Sequence, residues 1–407
     1  MRRRYVTSAA INLASNATAS LLSAVSILIV IRTLNIVDWG RTAVLLGLGQ
    51  LMGNVLSFGT PARLIRELST QTLATYRKVA FSLTLARTLT GSAILIAGFL
   101  ILTAINADVG SVLVLAAGVF VSLGSTAAFI ARRRYVAAAI LLLSEKLSAL
   151  ASLAILARSE VLTPAMFLCV LGLAGVLAGW LAAGMLHNGC PSFRGLTSAI
   201  RGQWVGSLHF GIAAVAPAFL LLDTVIVAHA SGAAEAGAYA VGSRLLAPLS
   251  VVSTTLAQTL MPVLAVQGPA ARLAFPARRQ LIILLTCVLC ALSALTVIVP
   301  SLAVVVLGPE YSASSWPIRF FILNAMAVLF TRALATALQA WHYESLVSKL
   351  IGINVVVALI AVLLGAFYGG AGPAAAGILA ANIVLAASLA IAACRVRRRS
   401  LETVASP

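Results

Sequence analysis

The sequence predicts an all-α polytopic membrane protein of about twelve transmembrane helices in two six-helix lobes, with both termini in the cytoplasm. Three observations carry that prediction. Of 407 residues, 61% are hydrophobic and only 9% charged, and the mean hydropathy is +1.07, outside the range of a soluble domain. Apolar stretches near the roughly 20 residues needed to cross a bilayer core follow one another almost end to end. Arginine and lysine fall between these stretches, alternately dense and sparse, which is the pattern of the positive-inside rule. The alternating ten-residue segments of a membrane β-barrel are missing, and no polar interval is long enough for a soluble catalytic domain.

Met1-Arg2-Arg3-Arg4 precedes an apolar run that continues past Ile31 without a cleavage site, so the first span is read as an uncleaved helix near 9–32. Five more follow near 40–58, 79–104, 110–131, 135–157 and 162–186, each bounded by glycine, proline or charge. A second set lies near 208–230, 237–265, 280–303, 316–340, 347–368 and 373–394. The longest polar interval, His187 to Trp204, separates the sets. The expected organisation is therefore an N-terminal lobe at 1–190, a cytoplasmic linker at 191–207, a C-terminal lobe at 208–394 and a basic cytoplasmic tail at 395–407. With the N-terminus inside, the cytosolic segments collect Arg2 to Arg4, Arg63, Arg66, Arg77, Lys78, Arg132 to Arg134, Arg194, Arg201, Arg272, Arg278, Arg279, Lys349 and Arg395 to Arg399, while the outer loops hold few cations. The net charge of +18 thus belongs to topology. Nucleic acid is not an expected partner, because the basic clusters lack aromatic platforms for bases.

A weak echo joins the halves. Asp38-Trp39-Gly40 opens the second span and Glu235-Ala236-Gly237 the eighth, and each acid suits the first turn of its own helix. The five cysteines, Cys169, Cys190, Cys287, Cys290 and Cys394, lie in or beside spans. They predict no disulfide framework and no metal site.

Several spans carry polar residues on one helical stripe. The first has Asn12, Asn16, Ser20, Ser23 and Ser26, the second Gln50 and Asn54, the eighth Ser243, Ser250, Thr254 and Gln258, and the tenth Asn324, Thr331 and Gln339. One such stripe reads as a helix–helix seam. Four in corresponding places of both halves predict a hydrated cavity lined by Asn12, Asn16, Gln50, Asn54, Ser250, Thr254, Gln258 and Asn324. Ionisable residues inside spans are costly and few. Asp223 and Arg244 come out at similar depth and are expected to form an ion pair, with ion or proton coupling by Asp223 as the alternative. Arg87, Lys146 and Arg332 fall between midplane and cytosol at about 1.5 Å per residue, with only Glu145 at hand to neutralise them. They form the expected cationic site for an anionic group such as a pyrophosphate, against the alternative that they snorkel to the interface. No Walker A motif, nucleotide cradle or HExxH appears, so no cofactor is expected.

Arg32-Thr33-Leu34 through Asp38-Trp39-Gly40, Phe58-Gly59 and Arg63-Leu64-Ile65-Arg66-Glu67 resemble the start of Wzx-type polysaccharide flippases of the MOP superfamily. Leu222-Asp223-Thr224 through Glu235-Ala236-Gly237-Ala238-Tyr239 and Arg244-Leu245 are similar to that family's seventh and eighth helices. Gly308-Pro309-Glu310-Tyr311 with Trp316-Pro317-Ile318-Arg319, and the glycine- and alanine-rich stretch Gly369 to Gly377, are similar to its segments before helices ten and twelve. The resemblance implies a two-lobed alternating-access transporter, not an enzyme, in the inner (cytoplasmic) membrane. Such a transporter moves a polyprenyl-pyrophosphate-linked oligosaccharide to the outer leaflet for exopolysaccharide, capsule or O-antigen synthesis, with a polysaccharide polymerase or other assembly proteins as partners. The competing expectations are a MATE-like small-molecule or drug exporter, and a membrane-embedded polymerase or glycosyltransferase. An exporter would more typically carry an acid in the first-half cavity, where this chain has only Glu145. An enzyme would need a long outer loop with catalytic residues, and the longest here, Pro300 to Trp316, is short.

Overall fold

The computed structural model of the chain describes residues 2–61, 73–132, 134–186, 215–246, 248–249, 253, 275–341 and 343–405, and among these it contains helices and turns alone. The helices are α1 (Arg2–Thr33), α2 (Ile36–Ser57), α3 (Leu73–Ala104), α4 (Ala107–Ala131), α5 (Tyr135–Arg158) and α6 (Pro164–Leu186), followed by α7 (Asp223–Ser231) and α8 (Ala233–Leu245). The last four are α9 (Phe275–Leu307), α10 (Ser315–Ala340), α11 (Glu344–Gly369) and α12 (Ala371–Ala405). Short 3-10 turns, Phe219–Leu222 and Pro309–Ser314, precede α7 and α10. Among the described residues nine helices are long and apolar enough to cross a membrane. The other three of the predicted twelve are α2, which carries Asp38 and Arg41, and α7 and α8, which border residues outside the description. The protein is a multi-pass membrane protein.

Local chemistry sets the helix ends. Asn35 caps α2, its side chain accepting the Asp38 N–H at 2.8 Å and donating to the Asp38 carboxylate at 2.8 Å, a reciprocal capping arrangement. The second helix therefore starts at Ile36, four residues ahead of the expected 40. It ends where Phe58 turns left-handed, with φ 38°, and Gly59 follows at φ 70°, a conformation in which glycine carries no Cβ penalty. The basic tail, expected as a separate segment from 395, instead continues α12 to Ala405, because Arg, Leu and Glu are good helix formers and no proline intervenes before Pro407.

The chain divides into two compact units, Met1–Val225 and Ile226–Pro407. The linker expected at 191–207 lies outside the described residues. In the first unit α4 is central, packing on α2, α3, α5 and α6. Its approach to α6 is backbone to backbone. A Cβ on Gly118 would overlap the Gly172 backbone, and one on Gly175 would stand 2.5 Å from the Gly118 carbonyl oxygen. Small residues permit this because helices in lipid associate by close packing and not by a hydrophobic driving force. At one end of the unit Tyr76, Phe81, Phe129, Leu141 and Leu186 close a buried cluster across α3, α4, α5 and α6.

In the second unit α12 packs on α8, α10 and α11. The Tyr239 ring of α8 meets Phe321 of α10 edge-on at 5.1 Å. The α11–α12 hairpin closes on Gly365 and Gly377, where an added Cβ would lie 2.5 Å from the Pro373 carbonyl oxygen and 2.7 Å from that of Ala361. On the outer surfaces Leu100, Ile155, Leu177, Val305 and Phe367 are exposed, as expected of side chains that face lipid.

Candidate functional site

On α1, at about 100° per residue, the exposed Ala14, Thr18, Leu21 and Val25 define one face, apolar except for the Thr18 hydroxyl. The buried Ser15, Ala19, Ser26 and Val30 form a seam, and α1 packs on α5. Asn16, Ser20 and Ser23 lie roughly 180° from the exposed face and are half-buried. The polar stripe therefore turns away from lipid without being sealed. The Asn12 side chain lies outside the described residues. On α2 the half-buried Gln50 and Asn54 share a face with the buried Trp39, Ala43 and Leu46, opposite the exposed Val37, Met52 and Val55. The Asn54 amide donates to the Gln50 carbonyl at 2.8 Å.

Arg87 is placed differently from the expected cavity cation. Its side chain points from α3 into the join of α2 and α4 and is only 3% exposed. Nε donates to the Phe120 carbonyl at 2.6 Å, Nη1 to the Thr60 hydroxyl and Nη2 to the Ser57 hydroxyl at 2.6 Å. The guanidinium also lies 4.1 Å over the Phe120 ring. Gly124, one turn on, leaves the space it fills. Arg87 is thus enclosed with all three nitrogens bonded to protein, where the reading from depth expects a cation at a cavity. Thr60 and Ser57 sit at the C-terminal end of α2, where the helix dipole favours positive charge, and this stabilises an arginine that has neutral bonding partners.

Lys146 meets the acid expected beside it. Its ammonium pairs with the Glu145 carboxylate at 2.5 Å, with the lysine side chain 28% exposed and the glutamate 8%. The other oxygen of Glu145 accepts from Ser122 of α4. Phe120 and Gly124 share one face of α4, and Ser122 is about 200° away. Arg87 and Glu145, the partner of Lys146, therefore bond on opposite sides of α4, and Arg87 and Lys146 do not form one cluster.

Asp223 is buried and its carboxylate accepts from the backbone N–H and the hydroxyl of Thr224. It belongs to the first unit and the half-buried Arg244 to the second. Ser250, Thr254 and Gln258 lie outside the described residues.

In the second unit Arg332 is exposed, on the face of α10 about 160° to 200° from the exposed Trp316 and Phe330. It thus avoids the apolar face and remains open. Asn324 is part of an interhelical amide chain. The Asn382 amide of α12 donates to the Asn324 oxygen at 2.8 Å, and that of Asn354 on α11 to the Asn382 oxygen at 3.3 Å. Asn354 and Asn382 escaped the sequence reading because each is a single amide in an apolar run; their midspan position was the available signal. Glu235 departs from its expected cap. The carboxylate accepts the Ala371 N–H at 2.7 Å, tying the start of α8 to the start of α12, while Ser231 donates to the Ala366 carbonyl at 2.6 Å. Among the described residues no group of three His, Cys, Asp or Glu stands ready to hold a metal ion.

No protein-family model and no curated protein sequence matches the chain. Solved structures do. An inward-facing multidrug resistance MATE family transporter of the MOP superfamily superposes with TM-score 0.64 at 14% identity, over 98% of this chain and 100% of that one. The lipid II flippase MurJ in an inward closed conformation gives 0.68 at 10% identity, over 95% and 90%. An outward-facing MATE family transporter gives 0.53 at 14% identity, over 94% and 97%. The chain therefore has the fold of MOP-superfamily transporters.

Proposed function

We propose that the protein is a flippase of the cytoplasmic membrane. It carries a polyprenyl-pyrophosphate-linked oligosaccharide from the inner to the outer leaflet by alternating access, as a Wzx-type transporter and not as an enzyme. Within the first unit Asn16, Gln50 and Asn54 contribute polar lining and Lys146 is a cation for an anionic group; within the second unit Arg332 is another.

The observation that carries this reading is the sign of the charge left inside the spans. In α1 to α6 the one carboxylate beyond a first turn is Glu145, and it is already engaged by Lys146 and Ser122. Arg332 is open on a helix that holds no acid at all. Such a balance suits an anion better than an organic cation, and a lipid II flippase shares the fold.

Deletion of the gene in its native host tests the proposal, followed by an impermeant sugar-modifying probe on intact spheroplasts. A lipid-linked glycan that accumulates protected from the probe supports it; unpolymerised glycan reaching the outer leaflet, or unchanged glycolipids, would contradict it. The second reading, a MATE-like exporter, is favoured by alignment over the whole of a MATE chain. An exporter would more typically work through an acid in the first-half cavity, so this reading predicts that Glu145→Gln abolishes activity, whereas the flippase retains most of its rate.

A further inference from the structure

We infer that the start of α10 in the second unit is a binding site for a lipid-borne phosphate, held by the Arg319 guanidinium and the Trp316 indole N–H. Arg319 Cζ lies 5.1 Å over the Trp316 ring, and Phe320 stacks on that ring at 6.0 Å with the planes 27° apart. Residues three and four apart share a helix face, so one turn of α10 builds the whole assembly. A second helix steadies the ring, since a Cβ added to Gly372 of α12 would stand 3.6 Å from the Trp316 Cβ. Outward the ring is open, with Trp316 59% exposed. Neither the guanidinium nor the indole N–H makes a hydrogen bond or an ion pair to a described residue.

Depth follows from the packing. The chain reverses at Gly370 between α11 and α12, and backbone outside a helix is not tolerated against hydrocarbon. This turn, and the Trp316 beside it, therefore lie at the level of lipid head groups. Arg319 starts one turn deeper, but helical side chains lean toward the N-terminus, which brings its guanidinium back up to the ring. The leaflet is the outer one, because α12 carries Arg395 to Arg399 at its opposite end. Arg319 thus stands on the side where cations are scarce, and no described acid neutralises it. Glu235 has its carboxylate on the Ala371 N–H, and the exposed Glu310 makes no ion pair to a described residue. A guanidinium stacked on a ring loses rotational freedom yet keeps its in-plane N–H edge for a partner. Together with the indole N–H it presents donors alone, which suits the oxygens of a phosphate. Two sources of such a phosphate exist in that leaflet, an anionic phospholipid and a polyprenyl pyrophosphate. The site is independent of the substrate proposed above.

Fluorine NMR of the purified full-length chain labelled with fluorotryptophan tests it. The chain has five tryptophans, and the Trp316 resonance is the one missing from Trp316→Phe, so the readout is blind to lipid bound at the other basic residues. The probes are dihexanoyl phosphatidylglycerol, dihexanoyl phosphatidylcholine and geranylgeranyl pyrophosphate. Phosphatidylglycerol should shift this resonance saturably and more strongly than phosphatidylcholine, and binding should weaken about tenfold in Arg319→Gln. Arg319→Lys should fall between, because charge remains while the planar edge is lost, and it carries the test if the Gln variant does not fold. Displacement of phosphatidylglycerol by the pyrophosphate would identify a carrier lipid as the ligand, and failure to displace it the phospholipid; either supports the site. A resonance that neither anion moves, that phosphatidylcholine moves as strongly, or that titrates alike in wild type and both variants would overturn it and leave Trp316 as an interfacial anchor.

Discussion

At the residue scale the arginines and the lysine inside the spans divide by what they touch. Arg87 bonds to Ser57, Thr60 and Phe120, so Arg87→Ala should orphan three polar groups and open a cavity, lowering stability by about 3 kcal/mol. Thermal unfolding in detergent measures this. Gly124→Ala would drive a Cβ into the same guanidinium, so the two substitutions should not add. A double-mutant cycle is expected to return coupling of about 1 to 2 kcal/mol, and additive losses would remove Arg87 from the pocket beside Gly124. Lys146 is partly exposed and Arg332 exposed. Their Ala variants should leave the amount of folded protein unchanged and cut transport about tenfold or more, read as flux per molecule of purified protein.

At the element scale the α4–α6 contact depends on the absence of side chains. Gly172→Val should separate the two backbones and destabilise the first unit by about 2 kcal/mol or more, whereas the same change at Gly352, which has open space around it, should do little. Glu235 joins two helix starts in the second unit. Glu235→Ala should cost about 1 kcal/mol and Glu235→Gln less, since the amide oxygen still accepts the Ala371 N–H; comparison of their melting temperatures checks this. Helix identity was legible in the sequence because hydropathy and glycine, proline or charge breaks act locally, and the α1 and α2 stripes were legible because 3.6-residue periodicity fixes their face. The surroundings of an ion were less so. Arg87, Lys146 and Arg332 look alike by depth, yet Arg87 is enclosed where α2, α3 and α4 pack, Lys146 is paired with the Glu145 expected beside it, and Arg332 is open. Glu235 looked like a cap for α8 because sequence shows the nearest helix start and hides the α12 start folded against it.

At the scale of the whole molecule, the order of spans and the alternation of charge follow from composition and position along the chain, while the MOP-type fold is carried by the likeness to solved structures and the proposed substrate by the few charges left open. The central claim is that these charges serve a lipid-linked anion. Its most direct measurement is reconstitution of the purified chain into liposomes with a fluorescent polyprenyl-pyrophosphate glycan and an impermeant quencher added outside. Wild-type protein should bring the protected, inner-leaflet fraction within reach of the quencher, and Arg332→Ala should slow that step about tenfold or more while Arg332→Lys retains part of it. A protected fraction unchanged by wild-type protein, in liposomes where the same protein exports an organic cation, would contradict the account.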